Sequence, residues 1–226
     1  MKTKLIKILW IFIVFLLAVP VQTNAASKTV YKEGFYYEPL SELVKERITG
    51  LSYGENCTVP YEELRYVSVL YMDFYGNSQQ GELICNKAIA KDLVEIFYEL
   101  YKADYPIGQI KLIDEFGADD TLSMTANNTS CFNFRLVEGT TSLSKHALGL
   151  AIDINPFLNP YVSTKNGQPY VSPPGSEYYA DRSNVFPCKI DENDLCYKLF
   201  TAHGFTWGGH WKTMKDYQHF QKSLPQ

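Results

Sequence analysis

From Leu64 to Gly76 the chain reads LRYVSVLYMDFYG, a run dense in β-branched and aromatic residues that predicts a strand. A turn at Gly76-Asn77 and a return as GELIC predict an antiparallel partner. The period then changes. Asn86 stands where it can cap a helix whose Ile89, Leu93, Ile96, Phe97 and Leu100 recur at helical spacing on one face. IKLID (110–114) is a further candidate strand. Before this block, residues 26–59 read as a polar, tyrosine-rich lead-in, irregular to about residue 38 and followed by one short helix. That helix would carry Pro39 in its first turn, turn Leu40, Leu43, Val44 and Ile48 inward, and end at Gly50.

Beyond residue 118 the pattern is less regular. DDTLSMTANNTSCFNFR (119–135) is crowded with small polar residues and reads as a long loop, the kind of segment that carries function on a compact scaffold. LGLAIDI (148–154) predicts a strand, and residues 159–184 a second long loop rich in Pro, Gly, Tyr and Asn. Asp191 is placed to cap a helix through Leu195, Leu199 and Phe200, closed by Gly204. GFTWGGHW and DYQHFQ finish as a strand, a loop and a last strand. Helices and strands mix without a βαβ rhythm, so the expected class is α+β, a small, mostly antiparallel sheet flanked by helices. One domain from residue 60 to 226 accounts for this block.

The first 25 residues change the picture. Lys2, Lys4 and Lys7 precede an unbroken apolar run from Ile8 to Val19, Pro20 breaks it, and Thr23-Asn24-Ala25 supply a cleavage-type end. That is the layout of a secretory signal peptide, and it predicts an exported protein. If it stays uncleaved, this segment is the one expected contact with a membrane. Without it, 18 basic residues face 25 acidic ones, a balance of −7. With no cluster of Lys or Arg, that charge gives nucleic-acid binding no electrostatic support. The five cysteines lack the spacing of a structural zinc site. Cys188 and Cys196 flank a short acidic loop and could pair, whereas Cys85 reads as a small buried hydrophobe.

Candidate chemistry lies in SKHALGLAID (144–153). His146 and Asp153 stand seven positions apart across small and aliphatic residues, with Gly149 allowing the chain to approach a metal closely. A catalytic zinc site takes three protein ligands and keeps a fourth position open, so a third must come from elsewhere. Three other histidines exist. His203, in the last turn of a predicted helix, suits the helix dipole. His210 follows two glycines, and His219 lies in DYQHF with Asp216 three residues before it. A hydrolase also needs a carboxylate that is not a ligand, to take a proton from the attacking water and pass it to the leaving amine. Asp216 beside His219 offers that pairing.

These motifs resemble one family. Residues 144–153 match SxHxxGxAxD at every fixed position, and DYQHF matches an acid three residues before a His-Phe. Both belong to the zinc D-alanyl-D-alanine carboxypeptidases and L-alanyl-D-glutamate endopeptidases of bacterial cell walls. NNTSCFNFR, DINPFLNPYV and WGGHW look like one branch of it, and the likeness runs over roughly residues 60–221. The resemblance implies a Hedgehog/DD-peptidase-like zinc fold. It implies one Zn2+ held by His146, Asp153 and His219, with Asp216 as general base and then acid. Arg135 would face the scissile carbonyl, and Ser144 would lie near bound substrate. The substrates implied are peptidoglycan stem peptides, with D-alanyl-D-alanine carboxypeptidase as the leading activity and endopeptidase as the alternative. A non-catalytic zinc-containing binding or signalling domain, as in Hedgehog proteins of this fold, is the rival class. The dyad departs from many relatives, which use glutamate where Asp216 stands.

Overall fold

The computed structural model describes residues 27–137 and 140–224, so the predicted signal segment lies outside the described residues. Its largest sheet has the order β1-β2-β3-β4 and is antiparallel throughout. Strands β3 (Leu64–Met72) and β4 (Ser78–Asn86) are the predicted hairpin. The lead-in is more ordered than its composition suggests: β1 (Thr29–Lys32) and β2 (Phe35–Pro39) extend the sheet, with Tyr37 opposite Val67. Aromatic residues that look irregular in sequence have strand propensity once a neighbouring edge is available. Pro39 therefore ends a strand and does not start a helix. Helix α1 (Glu42–Ile48) begins after Ser41, whose hydroxyl accepts from Val44 N at 3.3 Å. Its Ile48 is buried, but Leu43, expected inward, is 74% exposed.

Helix α2 (Ala90–Lys102) lies on this sheet, with Leu93, Ile96, Phe97 and Leu100 buried as the period predicts. Asn86 Oδ1 accepts from Ala88 N at 3.0 Å, bracing the turn just before the helix. IKLID is mostly not a strand. Only β5 (Gln109–Ile110) is extended, and residues 113–116 form a 3-10 turn. The long polar segment after residue 118 also has structure. Asp119 caps α3 (Asp120–Thr125), and β6 (Asn128–Thr129) pairs in parallel with β5. Asn128 is fully buried, its amide bonded to Lys111 O and Ser123 Oγ. Buried polar side chains with partners are what made this stretch look like a loop.

A second sheet, β10-β12-β7, carries the candidate chemistry. It joins β7 (Ala151–Asp153), β10 (Thr206–Trp207) and β12 (His219–Gln221). The predicted loop over residues 159–184 contains the hairpin β8 (Tyr161–Lys165) and β9 (Gln168–Ser172), followed by the short α4 (Glu177–Ala180). β11 (Lys215–Asp216) adds to that hairpin through β8. Helix α5 (Leu195–Ala202) is capped by Asp194 instead of Asp191.

One core serves both sheets: Val67, Leu83, Ile89 and Phe97 belong to the same buried cluster as Ile152, Phe200 and Phe220. Phe220 stacks on Phe200 with ring centroids 4.5 Å apart. Burying such a ring contributes about 1.5–3 kcal/mol, so β12 is anchored from behind. All five cysteines are free thiols. Cys188 Sγ faces Pro106 O at 3.2 Å, so the pairing considered for Cys188 and Cys196 is not made. Cys85 is fully buried. The architecture is α+β with antiparallel sheets and few helices. No helix among the described residues is long and apolar enough to cross a membrane.

Candidate metal centre

β7 and β12 run antiparallel with Asp153 directly opposite His219, Ile152 opposite Phe220 and Ala151 opposite Gln221. Side chains alternate along a strand, so Asp153 and His219 share one face while Ile152 and Phe220 share the core face. His146 is not on the strand. It opens a 3-10 turn, His146–Leu148, that brings its ring over that face. Ser144 Oγ accepts from His146 N at 3.2 Å and braces the turn; expected near bound substrate, Ser144 is buried and makes this contact. Gly149 ends the turn at φ +65°. A Cβ there would lie 2.5 Å from Asn86 N, so its smallness serves the approach to β4, not to a metal. Asn86 N donates to Gly149 O at 2.8 Å, which stitches the turn to the main sheet.

Three atoms converge: His146 Nε2 to His219 Nδ1 is 3.1 Å, His146 Nε2 to Asp153 Oδ1 is 3.3 Å, and His219 Nδ1 to Asp153 Oδ1 is 3.0 Å. All three residues are buried. The outer ring nitrogens set the tautomers. His146 Nδ1 meets Cys131 O at 2.6 Å, and His219 Nε2 meets Gln221 Oε1 at 3.1 Å. Both partners are acceptors, so both outer nitrogens carry the proton and both inner ones present a lone pair. The centre therefore holds two lone pairs and a carboxylate oxygen facing one another, which only a cation or an added proton can satisfy. A tetrahedral ion with bonds of about 2.0–2.2 Å needs ligand atoms about 3.3–3.6 Å apart; one observed pair, at 3.3 Å, reaches that range, and the other two, at 3.0 and 3.1 Å, are slightly tighter. The residues fit zinc.

The charges agree. Burial would raise the Asp153 carboxyl, but the imidazoles, His146 foremost, hold it far below the usual carboxylate range. His219 is raised despite its burial, because Asp153 bonds to it and attracts its charged form.

Asp216 stands beside this centre on β11. A Cβ at Gly208 would lie 2.8 Å from Asp216 Cβ and 3.3 Å from His219 Cβ, so only a glycine lets the 208–210 turn back both residues. Asp216 Oδ1 is buried with no hydrogen-bond partner, and burial, with Asp153 adding to it against the pull of His219 and His146, pushes the carboxyl up to about 6. A carboxyl tuned close to neutrality can both take and return a proton. Arg135 lies just before the turn: its carbonyl accepts from Ser144 N at 3.1 Å and its guanidinium pairs with Asp120 on α3.

The other histidines lie apart. His210 is exposed and pairs with Glu192 at 3.0 Å, while His203 pairs with Asp92 at 3.2 Å. Gln221 was missed in the sequence, although it follows His219 by two and so shares its face on a strand. Trp211 was missed too. Half-buried, it sets its ring 5.3 Å from that of His219.

A buried set of three lone-pair donors on a rigid scaffold, with a separate acid alongside, could hold a metal ion beside a group able to move a proton. Residues 138–222 match the family model described as D-alanyl-D-alanine carboxypeptidase. That match covers less than half of the chain and takes in both motifs; Arg135 falls just outside it. No curated protein and no solved structure matches the chain.

Proposed function

We propose that this chain is an exported, zinc-dependent peptidase that hydrolyses the stem peptides of bacterial peptidoglycan, acting as a D-alanyl-D-alanine carboxypeptidase on a zinc DD-peptidase fold. One observation carries the reading: three mutually facing lone-pair atoms, beside a carboxyl whose Oδ1 is buried without a hydrogen-bond partner. His146 Nε2, Asp153 Oδ1 and His219 Nδ1 would hold the ion. A zinc ion there supplies Lewis acidity, which polarises a peptide carbonyl and lowers the pKa of water.

The chain's own residues do the rest. Asp216, as carboxylate, accepts a proton from the attacking water. The same carboxyl then donates it to the amine nitrogen as the C–N bond breaks, so the acid ends as it began. Arg135 supplies a fixed positive charge for the oxygen that becomes negative when the carbonyl is attacked. Cys131 O and Gln221 Oε1 keep the ligand imidazoles in their metal-binding tautomers. Phe220 and Ile152, packed on the far side of the same strands, keep the ligands from shifting.

The test is direct. Protein lacking residues 1–25 is incubated with purified muropeptides, with and without a chelator, and the products are identified by mass. Loss of one alanine residue, abolished by the chelator and restored by zinc, is expected. Cleavage within the stem would assign the endopeptidase activity, and intact muropeptides with full zinc content would assign the non-catalytic class.

A further inference from the structure

Asp216 has a neighbour on its own face of the sheet. It stands on β11 directly opposite Tyr161 of β8, which in turn stands opposite Ser172 of β9. Residues opposite one another in antiparallel strands project to the same side, so Asp216, Tyr161 and Ser172 form one row across three strands. Lys215, Val162 and Val171 form the row on the other side. Tyr217 N donates to Pro160 O at 3.4 Å, a bond that flanks the Asp216–Tyr161 pair instead of joining it. Pairs of that kind are the closer-set ones, with Cβ atoms about 4.5–5.5 Å apart. Asp216 also shares the backing of Gly208 with the ligand His219. It thus neighbours a metal ligand through one contact and a phenol through another.

The fold makes little use of the Tyr161 hydroxyl. It donates to Met214 Sδ at 3.3 Å, and a thioether is a weak acceptor. The residue is half-buried, and its ring meets that of Tyr170 edge-on with centroids 6.3 Å apart. The hairpin therefore fixes the ring, while the hydroxyl can exchange a weak partner for a stronger one.

The chemistry assigned to Asp216 says which partner. A carboxyl that returns its proton to the departing amine comes within about 2.6–3.2 Å of that nitrogen. In a carboxypeptidase substrate the carbon of the terminal carboxylate is only two bonds from the same nitrogen. A hydroxyl one cross-strand step from Asp216 is then within a side chain's reach of it. We propose that Tyr161 binds the terminal carboxylate of the substrate, its hydroxyl leaving Met214 Sδ to donate to a carboxylate oxygen. This rests on the peptidase reading above and selects, within it, a free chain end over an internal bond. The competing account makes Tyr161 a packing residue of the hairpin with an idle hydroxyl.

The experiment pairs a change in the protein with a change in the substrate. The zinc-loaded mature chain and its Tyr161→Phe variant, which keeps the ring and lacks the hydroxyl, are assayed on a muropeptide ending in D-alanyl-D-alanine. Both are also assayed on the same peptide amidated at its carboxyl end. On the free acid, Tyr161→Phe is expected to raise KM and lower kcat/KM on the order of 10–100-fold, the scale of a hydrogen bond to a charged group. On the amide, parent and variant should differ far less, because the anion that the hydroxyl binds is gone. Equal losses on the two substrates, or an unchanged kcat/KM on the free acid, would overturn the proposal.

A binding measurement needs no turnover. Zinc-loaded Asp216→Asn protein is titrated calorimetrically with N-acetyl-D-alanyl-D-alanine, and adding Tyr161→Phe should weaken binding on the order of 10–100-fold. Equal affinity would also overturn the proposal. If the parent cleaves no muropeptide but this dipeptide still binds through Tyr161, the peptidase reading falls and the carboxylate site stands. If the protein neither cleaves nor binds, both fall.

Discussion

Two clusters in this protein bring a histidine together with acidic groups, and they are built for opposite ends. His146, Asp153 and His219 are buried; Asp92, Glu95 and His203 are half-exposed. In the second cluster a cation is already present: Lys222 Nζ lies 2.8 Å from Asp92 Oδ2 and donates to His203 O at 2.7 Å. Glu95 is paired with Lys91 besides. The first cluster has no Lys or Arg within it, and its outer nitrogens are committed to acceptors. Proximity of ligand-type side chains is therefore a poor guide to a metal. What separates the two is whether the chain has supplied its own positive charge.

The largest effect should come from removing a ligand of the first cluster. Asp153→Ala or His146→Ala is expected to drop zinc from about one per chain to a small fraction of that, with activity lost in step, by metal analysis of purified protein. Full zinc content in both would erase the distinction between the clusters. Next in size is Asp216→Asn, expected to keep the zinc and lower kcat on the order of 10²–10⁴-fold. If that variant instead loses zinc, Asp216 belongs to the ligand set. Gln221→Leu should be milder. Without an acceptor for His219 Nε2 the tautomer is no longer fixed, and zinc affinity should fall about 10–100-fold in a chelator competition. Unchanged affinity would show that the strand pairing alone orients the ring.

How much of this was legible in the sequence depends on the range of the signal. The hairpin of β3 and β4 and the buried face of α2 repeat within a dozen residues, and periodicity shows them. The three side chains that converge were suggested by two motifs that are each local, SKHALGLAID and DYQHF, although 66 positions separate Asp153 from the His219 that it faces. What failed was non-local. β1 and β2 need the edge of β3 before they are strands, and Asn128 needs Lys111 and Ser123 before it can be buried. Gly149 was read as making room for a metal, and in fact makes room for the backbone at Asn86, a partner 63 residues away. No periodicity carries such information.

The pH response sharpens the same contrast. Asp216 is raised from an unfolded value near 3.8 to about 6, mainly by burial, so the folded chain holds that proton more tightly than the unfolded chain. Its contribution to stability is fully present below the unfolded value and is lost as pH rises through about 6. In chelator-treated protein, Asp216→Asn should flatten the stability profile between pH 4 and about 6, measured by urea unfolding. In the zinc-loaded protein the added positive charge draws the carboxyl down, so the acid limb of kcat should lie below 6. A limb that does not move on Asp216→Glu, with its longer reach, would point to another group.

The smallest effect is expected at the second cluster. Lys222→Met keeps the length of the side chain and removes its charge. Asp92 then loses an ion-pair partner, and His203 O loses a donor, at a point where the chain leaves β12 and lies against α2 and α5. Contacts of this kind contribute about 1.5–3 kcal/mol when enclosed. Both side chains are partly exposed, so solvent screening reduces the expected loss to about 1 kcal/mol. Urea unfolding should show a lower midpoint with an unchanged slope. Zinc at the first cluster should stay at one per chain, because Lys222 touches none of its ligands and Phe220 keeps β12 anchored. His203→Ala should likewise leave zinc unchanged. If either variant lost the ion from His146, Asp153 and His219, the two clusters would be energetically coupled. The view that one is a metal site and the other a closed structural ion pair would then have to be abandoned.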